Sequence, residues 1–261
     1  MASRNCEIMA KSISVESLLK PNRSKLGSLI AGTSGSGKTT AMISILRQAI
    51  LNPKFGEDHR FVIVDPKIQK GDYDKLAEPV TSLDQAIKSV HENRTTVYWP
   101  DYEGFDQRSL EADLSNLINH LFDLANHDDK MTFTIVIDEA SILITPNQIP
   151  SAIKRLAVQG RAKGILPIYI SQRPLTNRWL DSNVSNIILF RMLPIDADNL
   201  SKRWGVNFQE VNEMISKKPY SFVKFDLEEA RLQPINPVEI PKRLWQKEKT
   251  MMDKMRIAVG L

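Results

Sequence analysis

The sequence has a single cysteine, Cys6, so it can form no internal disulfide, and a disulfide-stapled scaffold is excluded. Its four histidines (His59, His91, His120 and His127) stand at none of the spacings that hold a structural zinc ion. Long apolar runs are missing as well. The longest, such as Phe133–Ile137 and Ile187–Phe190, fall far short of the ~18 residues that a membrane span needs. Met1 to Cys6 contain no apolar h-region, so no secretory leader is expected. There is no internal repeat and no low-complexity tract. What is present is 261 residues, 42% apolar and 25% charged, the composition of a soluble globular chain. That length suits one α/β domain with a short appendage.

The net charge of +4 is unevenly placed. Residues 241–261 hold six bases (Lys242, Arg243, Lys247, Lys249, Lys254, Arg256) against Glu248 and Asp253, a surplus of four. The other residues therefore balance, 29 bases against 29 acids. Any contact of the body with nucleic acid must come from local patches rather than a global field. A solvated helix and a docking or DNA-binding tail both remain open for 241–261.

Apolar runs of strand type alternate with helical patterns along the chain. The runs are Ser28–Ala31, Phe61–Val64, Thr95–Trp99, Phe133–Ile137, Leu166–Ile170, Ile187–Arg191 and Tyr220–Phe225. Most are continuous rather than alternating, as in strands buried on both faces of a parallel sheet. The helical segments are Lys38–Leu51, Ser82–Glu92, Leu110–Ala125 and Pro150–Gln159. In the third, Leu110, Leu114, Leu117, Leu121 and Leu124 form one stripe. The alternation predicts a doubly wound α/β sheet. It also predicts an arm at 1–25, a domain at 26–240, a linker near Pro234–Pro241 and the basic tail.

The strongest local signal is Gly32-Thr33-Ser34-Gly35-Ser36-Gly37-Lys38-Thr39, followed by Thr40. It lies between an apolar run and a helical pattern, where a phosphate-binding loop must lie. Its backbone N–H groups can converge on phosphate oxygens at a positive helix terminus. Lys38 would reach the β and γ phosphates, and the Thr39 hydroxyl would ligate Mg²⁺. The plain alternative is a flexible glycine turn.

A second element is Phe133-Thr-Ile-Val-Ile-Asp138-Glu139-Ala140. A strand ending in acids puts them at the carboxyl edge of the sheet, beside the loop. Asp138 would hold Mg²⁺ through its water shell, and Glu139 would polarise an attacking water. Taken alone, the pair could equally cap a helix. Adjacent acids favour hydrolysis over small-molecule kinase chemistry. The common guanine-recognition strings Asn-Lys-x-Asp and Thr-Lys-x-Asp are missing, which points to ATP. A third element is Ser171-Gln172-Arg173-Pro174 after a strand, preceded by Gly160-Arg161-Ala-Lys163-Gly164. Gln172, whose amide both donates and accepts, can sense the γ-phosphate and the water. Surface turns are the plain alternative for both strings.

Together with Val64-Asp65-Pro66-Lys67, these motifs resemble the HerA/FtsK superfamily of P-loop ATPases, which pump DNA or proteins through ring assemblies. The resemblance runs from about Leu29 to Phe225. It implies a P-loop NTPase of the RecA/ASCE kind, with a mostly parallel sheet and helices on both faces. It further implies that Gln172 is a polar sensor and that Arg161 reaches the γ-phosphate of a neighbouring subunit, with Arg155, Arg173 and Arg191 as rivals. An arginine acting in trans requires a head-to-tail interface that closes into a ring, by family expectation a hexamer.

No N-terminal barrel, membrane anchor or winged helix accompanies the motor, which resembles the genome-packaging ATPases of membrane-containing icosahedral viruses. The implied partners are double-stranded DNA, further copies of the chain and a capsid or vertex protein. The implied location is the host cytoplasm or the virion vertex. Lys154, Arg155, Lys163 and the Thr145–Pro150 stretch are candidate channel contacts, gripping phosphates irrespective of sequence. Tyr98 and Trp99 end a strand, which favours packing over base stacking for them and their neighbour Tyr102. The alternatives are a conjugation or cellular DNA pump, and a phage assembly factor that extrudes protein.

Overall fold

The computed structural model describes residues 27–100, 106–174, 177–217, 220–226 and 231–235. The arm, the basic tail and Tyr102 lie outside them. Nine strands form one sheet among these residues: β1 (Gly27–Ala31), β2 (His59–Val64), β3 (Pro79–Val80), β4 (Thr95–Tyr98), β5 (Thr132–Ile137), β6 (Ile165–Ser171), β7 (Val184–Leu189), β8 (Phe222–Asp226) and β9 (Arg231–Ile235). Their spatial order is β3-β4-β2-β5-β6-β1-β7-β8-β9. Pairing is parallel from β3 to β7 and antiparallel from β7 to β9.

The helices are α1 (Lys38–Ile50), α2 (Leu83–Glu92), α3 (Gln107–His127), α4 (Ser151–Gln159), the short α5 (Arg178–Asp181), α6 (Pro194–Trp204) and α7 (Phe208–Ser216). They divide between the two faces of the sheet. Strand residues alternate accordingly: Ile30, Phe61, Ile63, Val136, Ile168 and Ile188 pack with Met42, Ile45 and Leu46 of α1. Leu29, Val62, Val64, Ile135, Tyr169 and Ile187 pack with α2, α3, α4, α6 and α7. Burial on both sides is why these strands read as unbroken apolar runs.

Four of the five leucines in the α3 stripe are buried, and Leu124 at its end is partly buried. Each buried leucine contributes about 1.5–3 kcal/mol relative to an exposed one. Capping follows the sequence closely. The Ser82 hydroxyl accepts from the Gln85 N–H, and the Gln85 side chain accepts in return from the Ser82 N–H, a capping box that starts α2. Asp106 caps α3 through the Arg108 N–H.

Register brings the carboxyl ends of the central strands level. Ala31 pairs with Ser171, Ile137 with Tyr169, and Val64 with Ile137. Gly32, Asp65, Asp138 and Gln172 therefore leave the sheet along one edge. A single strand, β6, lies between the phosphate-loop strand and the Asp-Glu strand.

Several expectations need correction. The last expected strand begins at Phe222, not Tyr220, because Tyr220 is left-handed (φ 60°) and exposed. The expected linker gives up Pro234 and Ile235 to β9, which is hydrogen-bonded to β8. The strand at Ile187–Arg191 stops at Leu189 and begins earlier, at Val184. The packing expected of Tyr98 and Trp99 is observed: both are core residues, the Tyr98 hydroxyl donating to Asp113 (2.8 Å) and the Trp99 indole to Asp65 (3.2 Å).

Candidate functional site

The Gly32–Thr39 loop joins β1 to α1 and is tied down where it leaves β1. The Gly32 N–H donates to the Ser171 carbonyl (3.3 Å) and the Thr33 N–H to the Arg191 carbonyl (2.8 Å). Two of its glycines are dictated by geometry. A Cβ on Gly32 would lie 2.6 Å from Phe190 Cβ. Gly37, at φ 99°, occupies a region that side chains disfavour, and its Cβ would meet the Tyr220 ring at 2.5 Å. The buried Lys38 ammonium donates to the carbonyls of Gly32 (2.6 Å) and Thr33 (3.0 Å), closing the loop on itself.

This loop forms one wall of a cleft of about 370 Å³ at the carboxyl edge of the sheet. Ser34, Gly35, Gly37, Lys38, Thr39 and Thr40 line it, and Glu139 and Gln172 face them. Ser36 is buried in the loop behind. A helix N-terminus, converging N–H groups and a lysine make that wall a site for phosphate.

Opposite it, Glu139 stands two residues past the end of β5 in a left-handed conformation (φ 47°), uncommon for a residue with a side chain. Its carboxylate Oε1 receives the Gln172 amide (2.9 Å) and the Lys67 ammonium (2.6 Å). Oε2 has no hydrogen-bond partner among the described residues. Glu139 is thus oriented by two donors on one oxygen while the other can accept from a water. Lys67 also lies 3.6 Å from Asp138. Asp138 is buried. Its Oδ1 accepts from the Glu139 N–H (2.8 Å), and its Oδ2 is buried without a hydrogen-bond partner among the described residues.

The electrostatics are those of a crowded acid cluster. Burial, with help from Asp138, pushes Asp65 up to about 6. Burial raises Asp138 also, despite Lys67 beside it. Burial pulls Lys67 down, but Asp138 and Glu139 more than offset this and leave it raised. Lys38 is lowered, first by burial and then by the charge of Lys67.

A magnesium ion fits these donors. The half-buried Thr39 hydroxyl and the unbonded Asp138 Oδ2 are hard oxygen ligands of the kind it takes.

The structure does not bring Arg161 to this cleft. It sits on the short 3₁₀ turn Gly160–Lys163 before β6, at the opposite edge of the sheet, roughly 20 Å away by strand length. Arg161 is exposed, and its side chain makes no hydrogen bond or ion pair among the described residues. The rivals Arg155 and Arg173 are engaged within the chain. Arg155 donates to Asn119 (2.8 Å) and lies over the Phe122 ring, while Arg173 is forked onto the buried Asp196 (2.6 and 3.0 Å). Arg191 is exposed beside the phosphate loop, lining a neighbouring cleft. Lys154 packs over the Trp179 ring (3.7 Å).

Lys67, Gln69, Asp72 and Tyr220 also line the main cleft, and the motifs had given none of them a role there. For Lys67 a signal existed. Val-Asp-Pro-Lys leaves the carboxyl end of β2, the neighbour of β5, so its residues had to face the same edge.

Comparison with known proteins agrees with this architecture. No family model matches the chain. It is 29% identical over 171 residues to the DNA translocase FtsK of Chlamydia muridarum, and 30% identical over 157 residues to that of Clostridium tetani. Each match takes in 56% of this chain and 20% of the relative, so the chain corresponds to about a fifth of their length. Among solved structures, B204, the DNA-packaging ATPase of Sulfolobus turreted icosahedral virus, superposes with a TM-score of 0.62 at 21% identity. That match covers 82% of this chain and 98% of B204. VirB4 of Thermoanaerobacter pseudethanolicus gives a TM-score of 0.61 at 13% identity, covering 85% and 92%.

The acid cluster yields a prediction about pH. Asp65, raised to about 6, opposes folding above that pH, and the penalty fades as pH falls towards the ordinary carboxylate range. Lys67 offsets the same repulsion only while the carboxylates are ionised. Lys67→Met is therefore expected to cost ~1–2 kcal/mol in urea denaturation at pH 8 and distinctly less at pH 5. An equal loss at both pH values would contradict the electrostatic role.

Proposed function

We propose that this chain, which has the HerA/FtsK-type P-loop fold, is an ATP-hydrolysing motor that moves double-stranded DNA through a ring of its own copies. The observation that carries the reading is Glu139, fixed on one oxygen by Lys67 and Gln172 and facing the Lys38 loop across a single cleft. That is the arrangement hydrolysis needs: a phosphate seat, a carboxylate to orient water, and a polar group linking the two.

The loop N–H groups and Lys38 hold the β and γ phosphates, Lys38 exchanging its two carbonyl bonds for phosphate oxygens. Thr39 and Asp138 would hold a magnesium ion, which when bound supplies charge neutralisation on the phosphates. Glu139 Oε2 accepts a hydrogen bond from the water and aligns it with the γ-phosphorus. Gln172, bonded to Glu139, lies where the γ-phosphate can compete for its amide. Loss of the γ-phosphate then changes the partners of Glu139 and so signals the nucleotide state to β6.

Arg161 belongs to the neighbour's site in this reading. Its exposure and lack of a partner among the described residues suit a residue offered outward, whereas Arg155 and Arg173 are engaged within their own chain. Such an arginine is worth ~10³–10⁵ in rate in other NTPases. A head-to-tail contact of this kind closes a ring, and a hexamer is the reading we adopt. Lys154 on α4 and Lys163 on the turn that carries Arg161 are the proposed contacts for DNA phosphates.

The likeness to B204, which takes in nearly all of that protein, supports packaging of a viral genome as the biological task. Capsid or vertex protein is then the further partner, with the host cytoplasm or the virion vertex as the location. No helix among the described residues is long and apolar enough to cross a membrane. The likeness to FtsK and VirB4 supports a cellular or conjugative DNA pump as the second reading, using the same site residues.

Hydrolysis of ATP by the purified protein is expected to rise several-fold with double-stranded DNA and to lose that stimulation as salt is raised. Hydrolysis indifferent to DNA, with the protein already in rings, would overturn DNA as cargo. The shared site has its own test. Lys38→Ala and Arg161→Ala proteins, each inactive alone, are expected to regain activity when mixed. An Arg161→Ala protein with wild-type turnover would remove Arg161 from the site.

A further inference from the structure

Tyr220 is an exposed aromatic at the phosphate loop that the hydrolytic reading leaves unused. Its side chain is 61% exposed although it stands against the most constrained part of the fold. Its backbone is left-handed (φ 60°), a conformation that a tyrosine rarely adopts. The ring lies over Gly37, close enough that a Cβ there would come within 2.5 Å of Cδ1. Gly37 is thus doubly constrained, by its own φ of 99° and by the ring above it.

The ring also stands between two depressions. On one side is the main cleft with Lys38, Thr39 and Thr40, and on the other a smaller one of about 200 Å³ lined by Gly35, Ser36, Arg191, Ile215 and Ser216. A strained backbone that holds an exposed π-face beside a phosphate seat is explained by a flat ligand group attached to the phosphates. Arg191, exposed in the smaller depression, supplies a guanidinium plane of the sort that also packs on flat rings.

We infer that Tyr220 is the stacking platform for the nucleobase, and that it sets a preference for purine over pyrimidine nucleoside triphosphates. The inference rests on the nucleotide-binding reading of the Lys38 cleft and extends it to the base. Stacking reads ring area rather than hydrogen-bond edges, so ATP and GTP are expected to bind alike and CTP more weakly.

Calorimetric titration with ATP, CTP and inorganic tripolyphosphate, each with magnesium, tests this on the full chain. Tyr220→Ala is expected to weaken ATP about tenfold, within the range of base–aromatic stacking, and to leave tripolyphosphate within about twofold. Tyr220→Phe keeps the π-face and is expected to retain the ATP affinity, and the ATP-over-CTP preference should shrink only in the alanine variant. Equal loss or gain for ATP and tripolyphosphate would overturn the inference and make the ring a prop or a lid for the loop. Unchanged ATP affinity in Tyr220→Ala would overturn it too. If the wild-type chain bound neither ATP nor tripolyphosphate, the nucleotide reading itself would fall, an outcome distinct from the other two.

Discussion

Two donors on one oxygen of Glu139 hold the site together. Lys67 arrives from the end of β2, Gln172 from the end of β6, and Glu139 itself from the end of β5. The three strands are adjacent and parallel, and their register sets the three side chains at one height. A slip of one residue in either ladder would turn the alternating side chains to the wrong face and break the contact. The apolar packing on both sides of the sheet therefore has a chemical consequence: it fixes where a carboxylate, an amide and an ammonium meet.

The same edge concentrates charge that would be costly elsewhere. Asp65, Asp138 and Glu139 lie together with Lys67 and Lys38, and burial, helped by the neighbouring carboxylates, pushes both aspartates towards their neutral forms. Lys67 works against that push on both aspartates, and Lys38 leans on the carbonyls of its own loop. Each of these interactions has a partner that a triphosphate and its cation could replace. The site is thus arranged to exchange internal bonds for bonds to a ligand, and Glu139, bonded to both Lys67 and Gln172, is where that exchange is felt.

Much of this was legible before any coordinates. The loop Gly32–Thr39 and the Asp138–Glu139 pair were readable because glycine placement and a strand-terminal acid are local signals. The four longer helices before Gly160 and seven of the strands followed from the apolar runs. Helices α6 and α7 were missed, although Ala197, Leu200 and Trp204, then Phe208, Val211 and Ile215, carry helical spacing. Gly205 and Asn207 between them cut the pattern into two short stretches. The strands β3 and β9 were missed for other reasons: two residues give no period, and Pro234 within β9 reads as a break. The role of Lys67 depends on which strand lies beside β5, and a sequence without pairing information does not state that. Tyr220 looked like the start of a strand because tyrosine favours strands, and a left-handed backbone at a residue other than glycine has no signal in the sequence.

In the proposed function Glu139 orients the water for hydrolysis in a cleft that binds ATP without it. Glu139→Gln keeps the shape and removes the charge, so calorimetry and turnover on this one variant separate binding from hydrolysis. ATP affinity is expected within a few-fold of wild type together with turnover lowered by ~10²–10⁴. Turnover at the wild-type rate, with ATP bound as before, would contradict it.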